Sequence, residues 1–280
     1  MPFFNAFISL EKMKKITMAL LLALSASYAR SQVVISGYIA NPTGSDKNQE
    51  YVQLLATEDI DFSKNNFALV ICKNGTTVAP NPGEPAPQGW ATGGDRTYKF
   101  DITAGQVKKG EYFYVGGKKN INGSKSTNIS NAKWIVNKNY SDEGGDGFGN
   151  ATGGLLPNSG RAVGIAVFAT KDVIATTAPI DVIFFQSTGG GNLWEGEQGY
   201  LITDNDLYNT KLSPYFRGAG RNKAAFDNAE ETDTVPYFTK LGGLYDVTAK
   251  KWLTARKKTW VTLKDDSKLS EIEEDATRIK

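Results

Sequence analysis

The chain has 280 residues, 32 Lys and Arg against 30 Asp and Glu, one cysteine and no histidine. Without histidine there is no Ser-His-Asp or Cys-His hydrolase and no His-ligated zinc site, and a lone cysteine excludes an internal disulfide. The near-balance of charge lacks the basic footprint of a nucleic-acid binder, so no nucleic-acid partner is expected.

Residues 1–32 are laid out as an export signal. Met13-Lys14-Lys15 precedes an apolar run from Ile16 to Leu24, and small residues follow in Ser25-Ala26-Ser27-Tyr28-Ala29. The run is shorter than the roughly 20 residues that span a bilayer, so no transmembrane segment is expected. Cleavage is expected between Ala29 and Val33, with translation starting at Met1 or Met13. Removing residues 1–32 takes away four basic residues and one acid, leaving 28 basic and 29 acidic residues. The expected location is secreted, periplasmic or on the cell surface.

The remaining chain is punctuated by glycine and proline, with short runs of Val, Ile, Phe and Tyr between them. This is the layout of an antiparallel all-β protein. Strands are expected at Val33–Ala40, Glu50–Ala56, Phe67–Cys72, Thr97–Ile102 and Glu111–Gly116, then at Trp134–Val136, Ala162–Phe168, Asp181–Phe185 and Trp260–Leu263. In the second of these, Tyr51, Gln53 and Leu55 face one side and Val52 and Leu54 the other. Two stretches read as exposed loops: Thr76–Asp95, with four prolines, and the Asn-rich Lys118–Asn131. Tyr237–Asp246 reads as a strand, a glycine turn and a second short strand. Ser267–Thr277 has apolar residues at helical spacing, and the tail Lys264–Lys280 reads as a solvated helix or a frayed end.

Val34-Ile35-Ser36, Asn41-Pro42, Asp46, Glu50-Tyr51-Val52-Gln53-Leu54, Asp59-Ile60-Asp61-Phe62-Ser63 and Phe67-Ala68-Leu69 follow one another in an order that resembles the lamin-tail domain family. Ile102-Thr103-Ala104-Gly105, Glu111–Val115, Asn158-Ser159-Gly160 and Ile180–Phe185 continue the resemblance, which covers about 150 residues. Gln53 and Phe67 depart from the residues usual at their positions. The resemblance implies an immunoglobulin-like β-sandwich over residues 33–188 in a secreted protein; the export signal, the Asn/Gly/Thr-rich loops and the long tail look like those of exported proteins of the Bacteroidetes type. Residues 189–280 would be a C-terminal β extension packed on it, ending in a short helix. It also implies a module that binds or positions and does not catalyse.

Four residues stand out as site candidates. Trp90 and Trp194 lie in glycine-rich loops, where an exposed indole can stack on a sugar or meet a cell-surface protein. Asp142 and Asp146 lie in Asp142-Glu143-Gly144-Gly145-Asp146-Gly147, an acidic glycine-rich turn of the kind calcium takes, although EF-hand spacing is absent. No other cofactor is expected. A carboxylate-based glycosidase using a pair such as Glu195 and Glu197, and a nucleic-acid-positioning module, are the rival readings. The ligand and the oligomeric state are not encoded in any motif.

Overall fold

The computed structural model describes residues 32–73, 97–151, 153–156, 162–174, 177, 179–187, 226–228 and 236–280. Residues Ser31–Lys280 cluster as one unit. The strands are β1 (Val33–Ile39), β2 (Tyr51–Ala56), β3 (Ile60–Asp61), β4 (Phe67–Lys73), β5 (Thr97–Ile102), β6 (Gln106–Val107) and β7 (Tyr112–Gly116). They continue with β8 (Trp134–Asn137), β9 (Ala162–Phe168), β10 (Asp181–Ser187), β11 (Phe226–Asn228), β12 (Tyr237–Asp246), β13 (Lys251–Thr262) and β14 (Arg278–Ile279). One short helix, α1 (Leu269–Glu273), precedes β14.

Two sheets face each other, so the protein is an all-β sandwich. The first runs β13-β12-β1-β2-β7-β8, with β14 added beside β12; the second runs β11-β10-β9-β4-β5. Alternation along β2 explains the layering. Val52, Leu54 and Ala56 enter the core between the sheets, against Leu69 and Ile71 of β4, Phe100 of β5 and Ile165 and Val167 of β9. Each of these side chains except Ala56 contributes about 1.5–3 kcal/mol by leaving water. Tyr51, Gln53 and Leu55 point to the other face, yet they too are buried.

The C-terminal segment covers that outer face. The expected solvated or frayed tail is instead packed: Ser267, Ile272, Ala276 and Thr277 are buried. Leu263 and Ile272 join Tyr51, Tyr114 and Phe238 in a second apolar cluster. Only Leu269–Glu273 is helical within the stretch expected to be helix. The helix stops at Glu273: Glu274 is extended, Asp275 takes a φ of 56°, and β14 follows from Arg278.

Two further expectations change. Tyr237–Asp246 is one ten-residue strand, because Gly242 and Gly243 sit in a bulge and not a turn. A Cβ on Gly243 would lie 3.0–3.1 Å from Thr254 O, the Trp252 ring and the Arg256 Cα, so glycine permits the close approach of β13. Lys118–Asn131 is not an open loop. Ile121 and Ile129 plug the outer cluster, and the buried Asn122 accepts from Thr43 N at 2.9 Å and donates to Thr43 Oγ1 at 2.9 Å. Among the described residues, no helix is long and apolar enough to cross a membrane.

Candidate functional site

Strand β12 lies beside β1, with Gly37 opposite Lys240 and Ile39 opposite Phe238. The segment after residue 189 therefore contributes main-chain hydrogen bonds to the first sheet. Its side chains reach further. Arg256 of β13 donates through both terminal nitrogens to Asp181 at the start of β10, at 2.7 and 2.9 Å, and also to Ile35 O at 2.9 Å. The Ile35 N–H donates to the same Asp181 carboxylate at 2.7 Å. Both charges are buried, and the guanidinium lies 4.5 Å from the Trp252 ring centroid. One fork thus ties β13, β1 and β10 together, where β1 itself has a register shift between Ile35 and Gly37.

The tail is held by a second polar network. The Tyr114 hydroxyl donates to Glu273 Oε1 at 2.8 Å and accepts from Gln53 Nε2 at 2.9 Å. Ser36 Oγ donates to Gln53 Oε1 at 2.8 Å. Tyr112 donates to Thr277 O at 2.7 Å, and Thr277 donates to Leu241 O at 2.7 Å. Partial burial raises the Glu273 carboxyl above its ordinary range, and the Tyr114 hydrogen bond opposes the shift.

At the end of the sandwich where β1 turns into β2, Glu50 is fully buried. Its carboxyl accepts from the Leu155 and Leu156 N–H groups and from the Tyr140 hydroxyl. Desolvation holds its pKa well above the ordinary 4.5, against the pull of those backbone donors. The sign follows from proton counting. Above pH 4.5 the unfolded chain releases this proton while the folded chain keeps it, so unfolding releases a proton and stability falls as pH rises. We predict that Glu50→Gln is destabilising by about 1–3 kcal/mol in mild acid, since an amide N–H would face the Leu155 and Leu156 donors. The gap between wild type and variant should narrow from pH 4.5 upward. Urea unfolding at several pH values measures it, and a gap that widens with pH would refute the direction.

The acidic loop is tied to its neighbours in the same way. Asp142 pairs with Lys47 at 2.6 Å and accepts from Asn48 Nδ2 at 2.8 Å, and these two contacts lower its pKa. Asp146 accepts from Lys138 Nζ at 2.7 Å and from Asp101 N at 2.9 Å. The two candidate calcium ligands therefore engage different elements. Among the described residues, no group of three or more His, Cys, Asp or Glu could hold a metal ion. The glycines have another use: a Cβ on Gly149, whose φ is +90°, would sit 2.1 Å from Thr97 O, so glycine permits the loop to lie against β5. Lys99 of β5 is buried beneath it, donating to Asp101 and, at 2.7 Å, to Lys171 O.

Trp90, Trp194, Glu195 and Glu197 lie outside the described residues. What sequence reasoning missed is the surface of the β12–β13 hairpin. Residues 237–262 carry Lys240, Lys250, Lys251, Arg256, Lys257 and Lys258 against a single acid, Asp246. Lys250, Lys251, Leu253, Lys257 and Thr259 are exposed, and Lys258 lies 4.0 Å from the Trp260 ring centroid. The signal was present as a local excess of lysine, averaged away in the charge of the whole chain. Compared with models of protein families, with curated proteins and with solved structures, the chain matches none.

Proposed function

We propose that the chain is an exported, non-catalytic binding or surface-structural module on a lamin-tail-like, immunoglobulin-like sandwich. The observation that carries this reading is the engagement of its buried polar groups. Arg256, Asp181, Glu50 and Gln53 each join a strand or its end to a loop, a tail or the facing sheet, and Asn122 joins two loops. These groups set the positions of the surface elements, and binding falls to that surface. The motif residues fit the reading: Glu50 fastens a loop, while Asp59 and Asp61 accept hydrogen bonds at the turns around β3 and β6. The candidate ligand is a glycan or a cell-surface protein, met by Trp90 and Trp194 or by the hairpin.

The test is an array of glycans and surface proteins probed with the full chain, alongside a reducing-sugar assay on the bound glycans. Binding without turnover is the expected outcome. Trp90→Ala and Trp194→Ala should weaken glycan binding while melting within a few degrees of wild type. Turnover of a bound glycan would replace this reading with the glycosidase, and a wild type that binds nothing would leave a purely structural role.

A further inference from the structure

We infer that the proton on Glu50 is a latch: with it in place residues 153–156 are fastened beside β2, and its loss as pH rises lets them open. The device stands on a cluster of groups at one end of the sandwich and is independent of what the protein binds. Glu50, directly before β2, is 0% exposed. Its Oε1 accepts from Leu156 N at 2.9 Å and its Oε2 accepts from Leu155 N. Gly154 lies against the carboxyl, where a Cβ would come within 3.4 Å of both oxygens. The main chain of Glu50 is held separately: its carbonyl accepts from Gly117 N at 3.0 Å and its N–H donates to the Tyr140 hydroxyl at 3.0 Å.

The Tyr140 hydroxyl shows where the proton sits. It has one hydrogen and two acceptors in reach, Asp46 O at 2.6 Å and Glu50 Oε2 at 2.9 Å. A carbonyl cannot donate, so the shorter contact takes the tyrosine proton. The contact with Oε2 then draws its proton from the carboxyl. The chain from Glu50 through Tyr140 to Asp46 O is complete only when Glu50 is protonated. Burial raises the Tyr140 hydroxyl far above its ordinary range, so it keeps its own proton. When Glu50 ionises, the hydroxyl turns to the carboxylate and leaves Asp46 O.

The surroundings favour the protonated form. Residues 153–156 are Gly-Gly-Leu-Leu and bring no charge. The turn at 138–143 presents Tyr140, whose ring meets Tyr98 edge-on at 6.2 Å, while Lys138 pairs with Asp146 and Asp142 with Lys47. Desolvation holds the closed carboxyl well above 4.5, and the like charge of Asp46 adds to it. In the open form the carboxyl meets water and returns to its ordinary range. The closed form therefore binds the proton more tightly, and closure weakens about tenfold for each pH unit above that range, until the closed carboxyl ionises too. Residues 153–156 open first, because the neighbouring turn keeps ties of its own. Asn48 Oδ1 accepts from Ser141 N at 2.8 Å, and Asn48 Nδ2 donates to Asp142 at 2.8 Å.

The test follows the full chain by carboxyl carbon-13 NMR and by amide exchange, from about pH 5 to about pH 8. At about pH 6, where exposed glutamates have ionised, the Glu50 carboxyl carbon should keep the shift of a protonated acid. The protection factors of the Leu155 and Leu156 amides, taken against the same amides in an unstructured chain, should fall about tenfold per pH unit from about pH 5. The Leu54 amide, released only by larger openings, should stay better protected at every pH. In Glu50→Gln the two leucine amides should be less protected at the acid end and then independent of pH. The carbon-13 titration and the wild-type exchange need no variant, so they decide the matter even where Glu50→Gln does not fold. A Glu50 carbon that titrates with the exposed glutamates would overturn the latch. So would wild-type Leu155 and Leu156 protection that is flat with pH, or that equals Leu54 throughout.

Discussion

Replacing Arg256 by methionine is expected to destabilise the protein by about 3–5 kcal/mol, because Asp181 would remain buried without its counter-charge. For a domain of this size that is a fall in melting temperature of roughly 10 °C. The prediction depends on burial: the two side chains are 0% and 5% exposed, whereas an ion pair at the surface is worth about 0–1 kcal/mol. The double variant, Arg256→Met with Asp181→Leu, should recover most of the loss, since neither charge of the pair is then left buried. Chemical denaturation of the three variants measures the coupling. A single variant within about 1 kcal/mol of wild type would mean that the fork does not hold the sheets.

Ile272→Ala should cost about 2–5 kcal/mol, the usual range for truncating a fully buried large aliphatic side chain. Ile272 is 0% exposed and packs in the cluster of Tyr51, Tyr114 and Phe238. A solvated terminal helix would lose a few tenths of a kcal/mol at most. The nearby Ser270→Ala, at an exposed position on the same helix, is the internal control and should change stability by less than about 0.5 kcal/mol.

The strands were legible where local pattern and tertiary role agree. Thr97–Ile102 and Ala162–Phe168 keep their expected limits, the first because Tyr98, Phe100 and Ile102 alternate with polar residues and the second because it is a short apolar run. The two faces of Tyr51–Ala56 follow from alternation alone. The tail was not legible, since Lys264–Lys280 holds four basic and six acidic residues and reads as solvent-facing. Its burial depends on a few residues, Ser267, Ile272, Ala276 and Thr277, that find a partner surface made by other strands. Lys118–Asn131 misled for the same reason, with Ile121 and Ile129 hidden in a polar stretch. Gly242-Gly243 has the composition of a turn and the geometry of a bulge, a distinction set by the partner strand. Arg256 and Asp181 are 75 positions apart, and no local signal links them. Of the four candidate site residues, Asp142 and Asp146 are fastened to separate neighbours, and Trp90 and Trp194 lie outside the described residues. The hairpin lysines became a candidate surface only once β13 was seen at the end of a sheet.

The claim on which the rest depends is that the C-terminal segment is part of the sandwich. Residue-resolved amide exchange in the native state measures it most directly. The amides of Thr239 and Tyr38, paired across β12 and β1, should exchange as slowly as those of Leu54 and Phe113 in the β2–β7 ladder. The Glu274 and Lys280 amides, bonded to Ser270 O and Tyr245 O, should also be strongly protected. Fast exchange throughout residues 237–280, with the β2–β7 ladder still protected, would contradict it and make this segment a loosely attached extension.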